Sequence, residues 1–149
     1  MTRNEADHWL QQAGIRPTAN RLLVVETLAR AHKTLSLADL ERLLETLDRS
    51  SIFRTLRILA EHHLVHEIND PTGIQRYELC HSHLHHALGH DDNPLHHDDE
   101  HVHFFCEQCQ QTFCLPDSPI PALSLPLGYH ASTATLLVRG LCPRCAQGH

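Results

Sequence analysis

The amino-acid sequence predicts an α+β fold in two parts, a helical N-terminal half closed by a β-hairpin and a smaller β-rich half after it. Three features lead there. Up to about residue 62, apolar residues recur at helical spacing, and each run is opened by a residue able to cap a helix. Two short segments then flank Asn69-Asp-Pro-Thr-Gly73, a turn-rich stretch that fits a hairpin. In the last third, Pro116, Pro119, Pro121 and Pro126 forbid much helix, while two Cys-x-x-Cys pairs offer a staple to a domain too small to rely on apolar burial.

Taken in order, residues 4–13 form a first helix, ended by Gly14 and by Pro17, which disfavours helical geometry at Arg16. Thr18 caps a second helix with Leu22, Leu23, Val25, Leu28 and Ala29 along one stripe. Ser36-Leu-Ala-Asp39 has the form of a capping box, and the third helix continues through Leu40, Leu43, Leu44 and Leu47. Asp48 caps a fourth helix to about His62, with Ile52, Leu56 and Leu59 inward and Arg49, Ser50, Ser51, Arg54 and Arg57 outward. Strands follow over 64–68 and 75–79. Helices and then a hairpin are the outline of a winged helix-turn-helix domain, whose recognition helix enters the DNA major groove. On pattern alone, the same arginines fit a merely solvated helix face equally well.

Residues 81–103 carry nine histidines, with five acids clustered in 91–100, and read as a loop. Strands are expected at 102–106, 111–115 and 129–140. The domains are therefore 1–80, a winged-helix domain; 81–100, a histidine- and aspartate-rich insertion; and 101–149, a small β-rich domain.

Composition limits the function. The 149 residues include 16 histidines against 12 lysines and arginines, and the formal net charge of −6 argues against binding nucleic acid by overall basicity. The charge is unevenly spread: residues 1–80 hold 10 basic and 11 acidic residues, residues 81–149 only 2 basic and 7 acidic. There is no run of 18 apolar residues and no basic segment leading into an apolar one at the N-terminus, so the expectation is a cytoplasmic protein without a membrane partner. In a reducing compartment the 6 cysteines point to metal or redox chemistry before disulfides. Cys106-x-x-Cys109 and Cys142-x-x-Cys145, 32 residues apart, supply four thiolates for one tetrahedral structural zinc. Two disulfides or a redox dithiol are the competing readings.

Several stretches together resemble the ferric uptake regulator family of metal-responsive repressors. Gly14-Ile-Arg-Pro-Thr-Ala-Asn-Arg21 is similar to the family's first loop and helix entry, and Leu35-Ser-Leu-Ala-Asp-Leu40 to the start of its third helix. Ser51-Ile-Phe-Arg-Thr-Leu56 resembles the recognition-helix signature, with Phe53 at the usual tyrosine. Gly73 through Tyr77-Glu78 resembles the wing, and His101-Val-His103-Phe-Phe-Cys106-x-x-Cys109 the opening of the dimerisation domain. The resemblance implies a homodimer, joined through its C-terminal domains, that binds a palindromic double-stranded DNA operator when a regulatory metal is loaded. Arg16, Arg21, Ser50, Ser51, Phe53, Arg54 and Arg57 are then the DNA-binding residues.

For the regulatory metal, His101 and His103 match the family's H-x-H ligands, and on a strand they point to the same side. Glu78 matches a carboxylate used by iron sensors, but the histidine such sensors often carry is Thr34 here, with His32 two residues upstream. Zinc sensors use a cysteine after the wing and a ligand in its first strand, where Cys80 and His66 fall. Imidazole and thiolate favour zinc over iron(II) or manganese(II). Cys114 falls where relatives often have a carboxylate ligand; for Cys80 and Cys114 the competing reading is a small buried hydrophobe, and for His66 an exposed wing residue. A further site that some relatives hold is expected to be absent, since Pro121 and Ala134 stand at its positions, and the helix relatives carry in this region is expected to be lost to Pro119, Pro121 and Pro126.

The expected function is a metal-dependent repressor controlling metal homeostasis, with structural zinc and regulatory zinc or iron(II), manganese(II) being a third choice. An enzyme is not expected, because the chain lacks H-E-x-x-H and H-x-E…P-C-x-x-C patterns. A histidine-rich metal-buffering protein and a haem-responsive regulator are the alternatives.

Overall fold

Side-chain caps decide where the helices of the N-terminal unit begin. The computed structural model describes residues 1–31, 33–80, 101–131 and 134–148, so His32 and the insertion at 81–97 lie outside the described residues. Two compact units, Met1–Asp91 and Asp92–His149, make up the chain. In the first, α1 (Arg3–Gln12) opens on a capping box in which Thr2 and Glu5 satisfy each other's N–H groups. Thr18 caps α2 (Ala19–Arg30), Ser36 and Asp39 form the box of α3 (Leu37–Leu43), and Asp48 caps α4 (Arg49–Glu61).

Two helices stop in the same way. Gly14 follows α1 at φ 74 and His63 follows α4 at φ 57. In each case paired backbone bonds close the end: Gly14 to Gln11 and Ile15 to Leu10, His63 to Ala60 and Leu64 to Leu59. This is the Schellman arrangement, in which a left-handed residue reverses the chain and the next apolar residue turns inward. Ile15 and Leu64 are both buried. The third helix is shorter than the leucine spacing suggests. It ends at Leu43, which is exposed, while Leu44 leaves helical geometry to stay buried and the chain turns into the Asp48 cap.

The core of this unit is formed by Leu10, Val24, Val25, Leu40, Ile52, Leu56 and Leu59, all fully buried, with Trp9 beside them. A three-stranded antiparallel sheet closes it, in the order β1 (Leu35–Ser36), β3 (Gln75–Leu79), β2 (Val65–Asn69). Tyr77 and Leu79 join the core, so the alternation of the strand turns Arg76 and Glu78 to the other face.

The second unit is a three-stranded sheet in the order β5 (Thr112–Pro119), β4 (His101–Cys106), β6 (Leu136–Gly140), with β4–β5 antiparallel and β4–β6 parallel. Two strand expectations need correction. The strand from 111 to 115 continues to Pro119, because β5 lies at the edge of the sheet, where a proline costs no ladder bond on its open side. The strand expected from residue 129 starts only at Leu136; Leu127 and Gly128 form a turn, and β6 extends only as far as its pairing with Val102–Cys106 of β4. Residues 120–131 form neither helix nor strand. A short α5 (Pro143–Ala146) ends the unit, with proline at its first position.

Candidate metal centre and nucleic-acid interface

Two knuckles bring four sulfurs together in the second unit. After β4 the chain turns through Gln110, at φ 56, and returns by Gln110 N–H to Cys106 O and Cys106 N–H to Gln111 O. Glu107 N–H donates to Gly140 O, which ties this turn to the end of β6 and so to Cys142 and Cys145 at α5. The sulfurs of Cys106, Cys109, Cys142 and Cys145 all lie within 4.8 Å of one another. Cys109 and Cys142 are 4.0 Å apart as free thiols. A tetrahedral zinc with bonds of about 2.3 Å to sulfur asks for sulfur separations of about 3.8 Å, so the residues fit a structural zinc.

Electrostatics agrees with a cation there. The backbone N–H groups of Cys109 and Cys142 lower the Cys106 thiol to about 6, and the second of these is seen as a 3.4 Å contact. Burial pushes Cys145 up to about 12, with the neighbouring sulfurs adding to it. Four thiolates so close cannot all ionise unless a dication offsets their repulsion. Among the described residues, Phe104 and Phe113 supply the further apolar packing around these sulfurs.

The other ligand candidates divide between the units. On the wing hairpin, His66 and Glu78 are directly paired across β2 and β3, with Nε2 and Oε2 3.6 Å apart. Cys80, immediately after β3, places its sulfur 3.3 Å from His66 Nδ1 and is itself buried. These three expected donors therefore converge on one face of the wing. Thr34, where the resemblance to iron sensors leads one to expect a histidine, is fully buried. In the second unit, His103 is buried on β4 and stands directly opposite Cys114 on β5. Cys114, which falls where relatives often have a carboxylate ligand, is not among the five expected donors; the register that puts it beside His103 is a long-range property with no local signature. His101 opens β4, and its side chain lies outside the described residues.

The expected DNA-facing residues lie mostly on α4. Ile52, Leu56 and Leu59 are fully buried, which turns Ser50, Phe53, Arg54 and Arg57 outward. Phe53 is 43% exposed, unusual for a phenyl ring on an isolated domain. Arg54 lies back along the helix with its Nε 3.3 Å from Ser50 O, and Arg57 pairs with Glu61. The Ser51 hydroxyl donates to Asp48 Oδ1 at 2.6 Å, so it serves the helix cap. Arg16 is exposed in the loop before α2, and its carbonyl accepts from Arg21 Nη1 at 2.7 Å.

Residues 12–93 match the model of the ferric uptake regulator family. The chain belongs to the ferric uptake regulator family. It is also 29% identical over 100 residues to a ferric uptake regulation protein of Synechococcus elongatus, covering 64% of this chain and 58% of that relative's length. Among solved structures, it resembles a zinc uptake regulator in complex with zinc and DNA, with a TM-score of 0.66, 21% identity and coverage of 98% of this chain and 93% of the other. A ferric uptake regulator of Pseudomonas aeruginosa with manganese superposes with a TM-score of 0.58 at 16% identity, covering 93% and 98%. At such identities the structures establish the fold, a winged-helix domain followed by a β-rich domain of this family. No described helix is long and apolar enough to cross a membrane.

Proposed function

We propose that this member of the ferric uptake regulator family is a metal-dependent transcriptional repressor, acting as a homodimer on a palindromic DNA operator. The observation that carries the reading is α4, whose inner face is wholly buried while Ser50, Phe53, Arg54 and Arg57 stand out from it. Arginine reaches guanine edges and phosphates, and an exposed phenyl ring meets a thymine methyl. Cys106, Cys109, Cys142 and Cys145 hold a structural zinc, whose binding supplies folding free energy to the second unit. The candidate donors for a regulatory ion are His66, Glu78 and Cys80 in the first unit and His101 and His103 in the second. Support for this comes from donor chemistry within each unit: a histidine, a carboxylate and a thiol on one face of the wing, and a histidine opposite Cys114 on the second sheet. Thiols and imidazoles make zinc(II) the preferred ion over iron(II) or manganese(II). The chain carries no catalytic role in this reading, and it acts in the cytoplasm.

The test is a titration. Protein retaining only its structural zinc is dialysed against zinc(II), iron(II) or manganese(II) separately, and its affinity for operator duplex is measured by fluorescence anisotropy. Zinc should raise that affinity at the lowest free concentration. No response to any of the three ions sinks metal control, and a response to iron(II) alone sinks the zinc preference.

A further inference from the structure

The outer face of the wing sheet carries an arginine that the DNA-reading surface does not use. Arg76 lies on the central strand β3, opposite Ser36 of β1 on one side and Ile68 of β2 on the other. Its side chain is only 8% exposed. Nε donates to Asp70 Oδ2 at 2.8 Å, and Nη1 is 3.5 Å from Asp39 Oδ2. The two carboxylates belong to different parts of the domain. Asp70 is the keystone of the wing turn: its side chain is wholly buried and accepts from the N–H groups of Thr72 and Ile74 and from the Thr72 hydroxyl. Asp39 is the carboxylate of the α3 capping box, accepting from Ser36 N–H at 3.0 Å. It also pairs with the exposed Arg42.

One guanidinium therefore joins the tip of the wing to the start of the helix that precedes α4. The backbone link between the same two places is slight, since β1 contributes only the pairs Leu35–Tyr77 and Ser36–Arg76. A planar fork can meet two carboxylates from different directions at once, which a lysine ammonium on its flexible stem does poorly. We propose that Arg76 is a positioning residue for operator binding, clamping the wing to the helix-turn-helix so that wing and α4 meet DNA as one body. The proposal rests on the DNA-binding reading above. Buried on the wing sheet by its two carboxylate partners, Arg76 touches no phosphate in this role, and that separates it from Arg54.

The experiment uses the full chain with zinc and two duplexes of equal length, an operator selected by the wild-type protein from a random pool and its scrambled form. Arg76→Lys and Asp39→Asn are the variants; Asp39→Asn keeps a cap acceptor at a partly exposed site, and it decides the matter if Arg76→Lys does not fold. Each should bind the operator about tenfold or more weakly and the scrambled duplex as the wild type does, reducing the specific-to-nonspecific ratio. The slope of log affinity against log salt should stay unchanged, because no phosphate contact is lost, whereas losing a true phosphate contact would reduce it by about 0.9. A lower melting midpoint with the wild-type ratio would make Arg76 merely structural and overturn the proposal. So would a slope reduced by about one in Arg76→Lys, which would mean direct phosphate contact. If the wild-type chain itself fails to prefer any duplex, the DNA-binding reading is what fails.

Discussion

His63→Gly should stabilise the N-terminal unit. His63 has φ 57 at the reversal between α4 and β2, where its N–H bonds Ala60 O at 3.0 Å and the next N–H, of Leu64, bonds Leu59 O at 2.9 Å. Holding an L-residue in that left-handed conformation costs about 1–2 kcal/mol, while glycine gives back about 0.5–1 kcal/mol through the greater freedom of the unfolded chain. The His63 side chain is exposed, so no packing is lost. The net gain is about 0.5–1 kcal/mol, and with a urea m-value of about 2 kcal/mol/M the midpoint should rise by about 0.3–0.5 M. Trp9 is the only tryptophan and is buried in this unit's core, so its fluorescence reports this unit. His63→Ala, which keeps the backbone cost, is the control and should not gain. A midpoint for His63→Gly at or below the wild-type value would refute the reasoning, because it would mean the imidazole contributes more than the backbone conformation costs.

Gly14→Ala is the reciprocal case: at φ 74, with no atom within 4 Å of the added Cβ, it should lower the same midpoint by a backbone cost of about 1 kcal/mol. Arg54→Ala should abolish operator binding in a gel-shift titration while dimer mass and zinc content stay at wild-type values; retained affinity would remove Arg54 from the reading surface. Cys106→Ser, or strong chelation of the wild type, should release zinc and remove the sheet of the second unit from the circular dichroism spectrum, while the Trp9 transition persists; an intact sheet without zinc would show the metal is not the staple. Burial raises the Asp70 and Asp39 carboxyls, but hydrogen bonds from Thr72 and Ser36, helped by their arginines, outweigh it and hold both below the ordinary 3.8. Their contribution is therefore fully present above that value and fades as pH falls through the lower folded values. Asp70→Asn should be less stable than the wild type at neutral pH, and the difference should shrink in acid urea titrations; a difference independent of pH would mean that charge is not the cause.

What could be read from sequence was mostly what neighbours in the chain decide. Thr18, Ser36 and Asp48 mark helix starts because a cap bonds an N–H only three residues on. Asn69 to Gly73 marks the wing turn because Asp70 and Gly73, at φ 84, bond within it. The Cys-x-x-Cys pairs and the amphipathic α4 were legible for the same reason. The end of α3 was not. Leucine spacing runs on past Leu43, and only the need to bury Leu44 and reach the Asp48 cap stops the helix there.

By itself, then, the sequence determined the two-part α+β plan, the family, the two Cys-x-x-Cys pairs and the outward face of α4. Tertiary structure alone decided which distant residues became partners. It paired the two-residue β1 with β3, set Cys114 opposite His103, limited β6 to the length of its pairing with β4, and sent Arg76 to two carboxylates, one 6 and the other 37 positions away in the chain. Strand register and buried ion pairs depend on the summed packing of a whole sheet, and a shift of one residue would turn every side chain to the opposite face, so no short stretch of sequence contains that choice.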